Sequence, residues 1–202
     1  MSETNVKAKT IADIEAVLDF VVEVEKLKNV LRKTRPVGLT RYENSAEHSW
    51  HVCISALMLK DFASEAVEID RVIRMLLIHD LGEIDAGDTI IYNSETPEGK
   101  DEEARGVKRL LDLLPAEQRD SYMSLWYEFE AGETADSKFA RAVDRIPPLL
   151  HNLHGDGHGW KENNISKEMV MNVNQRIANG SEAVWEVIEA KLKAGAEAGL
   201  LK

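Results

Sequence analysis

"EIDRVIRMLLIHDLGEIDAGD", residues 68–88, decides how the rest of the chain is read. From Val72 to Leu81 it is apolar on most sides, the pattern of a helix buried all round. That helix then carries His79, Asp80 and Glu83, which a purely structural helix has no reason to hold there. A helix C-terminus bears partial negative charge, so each acid near it is disfavoured by roughly a few tenths to 1 kcal/mol. Asp80 also follows leucines and an isoleucine, where an unpaired carboxylate is costly enough to change protonation instead. Something positive should offset it. No Lys or Arg lies between Met75 and Gly99, whereas a bound divalent cation would serve. Gly82 marks the expected end of the helix.

Outward from this stretch the chain reads as helix nearly throughout, with little of the strict alternation that strands need. "IADIEAVLDFVVEVEKLKNVLR" places Ile14, Leu18, Val21 and Val22 on one helical stripe. "SAEHSWHVCISALMLKDFA" opens on a possible cap at Ser45 and stays apolar through Phe62. Residues 85–99 read as a loop with turn residues at both ends. "KDEEARGVKRLLDLLP" and "AEQRDSYMSLWYEFEAG" form an amphipathic pair divided by Pro115 and closed by Gly132. "ADSKFARAVDR" runs to Pro147-Pro148, where the backbone must kink or stop. "HGDGHG" reads as a loop, and residues 166–193 as helix interrupted near Gly180.

With 202 residues, 44% of them hydrophobic and 30% charged, the chain suits one soluble domain with one core. Residues 1–10 read as a flexible start and 11–202 as that domain, with its motifs in about 25–160. The net charge of −11 speaks against a nucleic-acid polymer as partner and against docking on an anionic membrane. The lone Cys53 rules out an internal disulfide and a multi-thiolate zinc site. The polar "MSETNVKAKT" is not signal-like, and no apolar run approaches the roughly 20 residues that span a bilayer. The expectation is a cytoplasmic protein. An apolar helix face left over would suit a homodimer.

Charge is unevenly distributed. Lys26 to Arg41 holds six basic residues and no acid, while Met75 to Gly99 holds six acids (Asp80, Glu83, Asp85, Asp88, Glu95, Glu98). Solvated faces are the plain alternative. Neighbours His79 and Asp80 diverge by about 100° on a helix, yet their tips can meet one ion standing off its surface. His48, on the preceding apolar helix, is the natural third ligand, and Asp144 in "RAVDRI" the fourth. Taken singly, His48 can bond a carbonyl and Asp144 can pair with Arg141 or Arg145. Together they form a two-nitrogen, two-oxygen set suited to one Mn, Fe, Co, Ni or Zn ion.

The order His, then His-Asp, then a distant Asp, on an all-α chain, resembles the HD-domain metal-dependent phosphohydrolases. "ENSAEHSWHV", "LLIHDLGEIDAGD" and "AVDRIPPLLHN" are similar to the branch that includes the 5′-deoxynucleotidases. The resemblance implies an HD-domain helical bundle with metal ligands His48, His79, Asp80 and Asp144. It implies catalytic roles for Glu83, one turn beyond His79, and for Asp88. It implies that an arginine ahead of the first metal histidine holds the phosphate; Arg32 matches best, with Lys33 or Arg35 as alternatives. Well-matched deoxynucleotidases follow that arginine with a tryptophan that crowds the sugar 2′ position, and "RKTRPVG" has none. The implied substrate is a small phosphomonoester, foremost a (deoxy)nucleoside 5′-monophosphate.

Such hydrolysis needs a nucleophilic water, neutralised phosphoryl oxygens and a proton for the leaving alkoxide. A divalent ion supplies the first two. Rival readings are an HD-type enzyme acting on a cyclic nucleotide, a nucleoside triphosphate or a non-nucleotide phosphate, and a non-catalytic metal-bound scaffold. His151, His154 and His158 follow Asp144 among glycines that argue for a mobile loop, poor for tight metal binding, although a second metal at His151 is conceivable. His51 reads as a packing or supporting residue, Asn152 as a possible substrate contact, and Trp50 and Trp160 as core or rim.

Overall fold

The structure, a computed structural model, describes residues 3–92 and 96–201, with side chains from Thr10 onward. Residues 1–2 of the expected flexible start, and Glu95 of the acidic window, lie outside the described residues. Residues 3–10 are helical in backbone, as the first part of α1 (Glu3–Val24). Then follow α2 (Ser45–Leu59), α3 (Ile69–Ile78), α4 (Glu83–Ala86), α5 (Pro97–Leu111) and α6 (Ala116–Ala131). The chain closes with α7 (Ala135–Asp144), α8 (Ile146–His154), α9 (His158–Glu162), α10 (Lys167–Asn174) and α11 (Glu182–Glu197). Among the described residues there is no strand, only one antiparallel bridge, between Leu31 and Asn44. The fold is all-α, as expected.

Helix α3 is the central beam. It buries Val72, Met75, Leu76 and Ile78 against Val52 and Ala56 of α2, Phe139 and Val143 of α7, and Trp126 and Phe129 of α6. It stops at Ile78, three residues before the sequence pattern suggests, and residues 79–82 form a turn into α4. Gly82 therefore does not cap α3; its φ is an ordinary −62°. It is needed for close approach. A Cβ on Gly82 would sit 2.6 Å from Glu103 Cγ, and one on Gly106 would sit 2.8 Å from the Gly82 carbonyl oxygen. Two glycines let α4 and α5 cross backbone to backbone.

Two other expectations are corrected. The N-cap of α2 is Asn44, whose side chain accepts from Glu47 N while Glu47 accepts from Asn44 N. This reciprocal box displaces Ser45 from the capping role. The row of α1 that meets the core is Val17, Phe20 and Val24. Ile14, Leu18, Val21 and Val22 face outward, 51–67% exposed.

Helix α7 stops at Asp144, just ahead of Pro147-Pro148 as expected, and the two prolines then occupy the first turn of α8, where a missing N–H costs nothing. Gly132 closes α6 in the left-handed region at φ 62°. The glycine-rich segment is partly ordered as α9, and Trp160 within it is a core residue at 2% exposure, whereas Trp50 lies on the surface.

Candidate metal centre and active site

Between α1 and α2 the chain doubles back as a strap. Arg32 N donates to Glu43 O at 2.9 Å, Glu43 N to Thr34 O at 2.9 Å and Ser45 N to Val30 O at 3.0 Å. The strap delivers Arg32 and Glu43 to the first turn of α2, which carries His48, and α3 ends beside it.

His79, at the C-cap of α3, makes a 2.8 Å bond from Nδ1 to the Leu76 carbonyl. A carbonyl only accepts, so Nδ1 carries the hydrogen and Nε2 turns its other face inward. Nε2 lies 3.1 Å from Asp80 Oδ1 and 3.3 Å from Asp144 Oδ1. It is buried and has no hydrogen-bond partner. His48 Nε2 lies 2.8 Å from Asp144 Oδ1 and 3.9 Å from Asp80 Oδ2. Two imidazoles and two carboxylates thus converge from α2, α3 and α7. Ligands at roughly 2.1 Å from one ion lie about 3 Å apart around an octahedron. The observed spacings bracket that value: donor atoms of His48, His79 and Asp80 all lie within 4.8 Å of one another, a set that fits a first-row divalent ion, and Asp144 touches both imidazoles beside it. Arg141 does not compete for Asp144, because it donates to the carbonyls of Phe129 and Glu130.

The site's electrostatics seek positive charge. Burial works against the His79 imidazolium, but Asp80 and Asp144 outweigh it and lift His79 to about 9. Burial would raise Asp144, yet its bond to His48 and the charge of the adjacent His79 hold it well below the usual carboxylate range. Burial, aided by the Arg32 charge, pushes His48 down.

The sequence offered no local cation for Asp80, but the fold supplies one from 48 residues away. Arg32 Nη1 lies 2.9 Å from Asp80 Oδ2, 3.5 Å from Glu83 Oε1 and 3.4 Å from Asp88 Oδ1. Arg32, Glu83 and Asp88 therefore belong to the same centre as the four metal-ligand candidates. Glu83 reaches it although α3 has ended, because the 79–82 turn swings α4 inward. Burial, with Asp80 nearby, raises Glu83 to about 9. Lys33 is exposed and lines the adjoining cleft instead. Arg35 stacks on Tyr42 with its Cζ 5.3 Å from the ring centroid, away from the centre.

From Arg32, Asp88 and Asp144 the cleft continues into an apolar pocket lined by Ile91, Tyr92, Pro148, Leu149 and Trp160. Asn152 sits there, but its amide is engaged at both ends, donating to Pro148 O and accepting from Trp160 N. That makes it a brace between α8 and α9, with one amide hydrogen still uncommitted at the pocket. His154 is exposed, and His158 lies 3.0 Å from Glu162 on α9; neither reaches the centre.

Sequence reading missed Glu43, Ser45 and Arg145 as site residues. Glu43 is 2% exposed behind His48, its Oε2 3.8 Å from His48 Nδ1. Ser45 Oγ donates to Glu83 Oε2. Arg145 is 8% exposed and lines the cleft next to Asp144. Glu43 and Ser45 both lie inside "ENSAEHSWHV", but an acid and a serine ahead of a helix read first as capping groups.

A profile of the HD domain matches residues 24–185. Curated relatives carry the name 5′-deoxynucleotidase HDDC2. The protein from Homo sapiens is 28% identical over 137 residues, 67% of this chain and 66% of that protein. The one from Bos taurus is 30% identical over 135 residues, 66% of this chain and 64% of its own length. The match thus spans just under two thirds of these relatives. A crystal structure described as a predicted metal-dependent phosphohydrolase, from Magnetospirillum magnetotacticum, superposes with a TM-score of 0.89 at 43% identity. It covers 94% of this chain and 98% of that one. An HD-domain phosphohydrolase from Listeria innocua, at 19% identity and a TM-score of 0.60 over 90% of this chain and 86% of its own, shares the fold.

Proposed function

The chain belongs to the HD domain family, and on that premise we propose that it is a metal-dependent phosphohydrolase acting on a small phosphomonoester, foremost a nucleoside 5′-monophosphate. One observation carries the reading: four metal-ligand candidates, two further carboxyl groups and one partly buried arginine gather at one end of a cleft whose other end is apolar. The names borne by the curated relatives, and the description of the Magnetospirillum structure, support the same class.

His48, His79, Asp80 and Asp144 would hold the ion. Once bound, it would acidify water and neutralise phosphoryl oxygens. Arg32 faces the cleft as the fixed cation for a phosphate dianion, and its planar fork suits two oxygens at once. Lys33 at the rim adds long-range attraction. Glu83, held neutral by burial, can give a proton to the leaving alkoxide, and Asp88 across from it can take one from water. The apolar pocket, with Tyr92 and Trp160, takes the nucleoside. Because Lys33 stands where a tryptophan would crowd the 2′ position, ribose and deoxyribose are both accommodated.

The finer assignments follow from the same reading. The metal is a first-row transition ion, one per active centre. The outward row of α1 supports a homodimer. No described helix is long and apolar enough to cross a membrane, and the proposed place of action is the cytoplasm. Residues 11–202 act as one domain.

A panel of phosphates assayed with Mn²⁺ and Co²⁺ tests the reading. Ribo- and deoxyribonucleoside 5′-monophosphates should be turned over fastest, and Glu83→Ala should remove that activity. Preference for cyclic nucleotides, triphosphates or non-nucleotide esters overturns the substrate assignment. Absence of any phosphatase activity to lose overturns the enzyme.

A further inference from the structure

Behind the centre lies a second group of ligand-type side chains that the mechanism does not use. Glu43 comes from the strap, His51 from α2 one turn past His48, and His151 from α8. One donor atom from each lies within 4.8 Å of the other two. Glu43 Oε2 is 3.9 Å from His151 Nδ1. Glu43 and His151 are 2% and 5% exposed, and His151 Nδ1 is buried with no hydrogen-bond partner. The Glu43 carboxylate accepts one long hydrogen bond, from Thr34 Oγ1 at 3.3 Å, and has Arg32 Nε at 3.8 Å. A carboxylate and an orphaned imidazole nitrogen thus face one small gap, and His51 closes its partly exposed side.

We infer that Glu43, His51 and His151 form a second divalent-cation site, taking a zinc-class ion on two imidazoles and one carboxylate. This donor set leaves a coordination position for water, and the half-exposed His51 provides the way in. Bonds of roughly 2.0–2.2 Å set tetrahedral ligands about 3.4 Å apart. The 3.9 Å between Glu43 Oε2 and His151 Nδ1 lies close to that spacing. The site is separate from the first: none of its three ligands is among His48, His79, Asp80 and Asp144. His48 stands between them, with Nε2 toward Asp144 and Nδ1 toward Glu43. His151 is held on a helix here, not on the mobile loop that its glycine neighbours suggest.

The test reads metal, not turnover, so it stands whether or not the chain is a phosphohydrolase. The full chain, stripped with chelator, is dialysed against Zn²⁺ and its bound metal counted. Two ions per chain are expected. His51→Ala, at a partly buried position, should lower the count to one or weaken one affinity at least 10-fold, with an unchanged circular-dichroism spectrum showing that the variant is folded. Asp144→Asn should remove the other ion. In crystals of the wild-type protein, anomalous scattering at the zinc edge should place a peak between Glu43, His51 and His151. One ion per chain in the wild type, a His51→Ala count unchanged at two, or an ordinary water at that position overturns the inference.

Discussion

Ser45 donates a 2.5 Å hydrogen bond to Glu83, joining the first turn of α2 to the start of α4 across 38 residues of sequence. The bond fixes the carboxyl group that burial and Asp80 keep protonated at neutral pH. Asn44 does the capping, which leaves the serine hydroxyl free for this task.

Glu83→Gln keeps the neutral charge and an oxygen for Ser45, but cannot give up a proton as an acid does. Turnover of a nucleoside 5′-monophosphate should fall by roughly 10²–10⁴-fold. Bound metal and Tm at pH 7 should not change. Steady-state kinetics and a thermal melt check both halves, and a kcat within threefold of wild type contradicts the assignment.

Stability of the metal-free protein should fall as pH rises from 7 to 9. His79 is lifted from 6.5 to about 9, against its own burial, by Asp80 and Asp144. Burial lifts Glu83 from 4.5 to about 9 and Glu43 from 4.5 to about 7. Each binds its proton more tightly folded than unfolded, so its contribution is complete below the unfolded value and is lost as pH climbs through the folded one. The depressed His48, His151 and Asp144 act in the opposite sense, but their contributions are already complete at pH 7. The loss should be on the order of 2 kcal/mol from each of His79 and Glu83, with a smaller share from Glu43. A divalent ion replaces the His79 proton, so the stabilisation it confers should grow over the same interval. Melts at pH 7, 8 and 9, with chelator and with Mn²⁺, measure this; parallel profiles would refute it.

Arg32→Ala removes the cation that faces Asp80, Glu83 and Asp88. Leaving buried carboxylates unpaired costs about 3–5 kcal/mol. The cost should be largest in chelator and shrink when Mn²⁺ neutralises Asp80. KM for phosphomonoesters should rise as well. Denaturant titrations with and without metal, together with initial rates, separate the two effects.

Gly106→Ala sets a methyl group 2.8 Å from the Gly82 carbonyl oxygen. Overpacking there should cost about 1–3 kcal/mol. It also pushes α4, and Glu83 with it, off the centre. The kcat should drop while the bound metal, held by α2, α3 and α7, is retained. Metal analysis of the purified variant beside its kinetics decides the point.

The helices and the four metal-ligand candidates are legible in the sequence because periodicity and short motifs are local signals. Val72 to Ile78 announces a buried beam, and His79-Asp80 sits where charge is out of place. What stays hidden is long-range. Nothing near Asp80 discloses that Arg32 neutralises it, because the pairing exists only after the strap folds back. Glu43 looks like one more surface acid until Arg32 and Thr34 exchange backbone bonds with it. The stripe on α1 misleads because two adjacent rows are both apolar, and only packing against α5 chooses Val17, Phe20 and Val24. Gly82 misleads for a related reason: a glycine at a helix end and a glycine at a helix crossing are written with the same letter.

The doubled-back strap works as a hairpin with a free tip. Residues 37–40 are exposed, Gly38 turns at φ 78°, and Leu39 N closes the bend onto Pro36 O at 3.0 Å. Arg32 and Glu43 sit on the two paired legs, held in register by their own amide ladder. Extra residues spliced in at the tip lengthen it into solvent and leave the paired legs where they are. A single residue added to either leg would instead exchange Arg32 with a neighbour facing the other way. Length variation, whether made by evolution or by an engineer attaching a tag, is tolerated at one end of this segment and forbidden at the other.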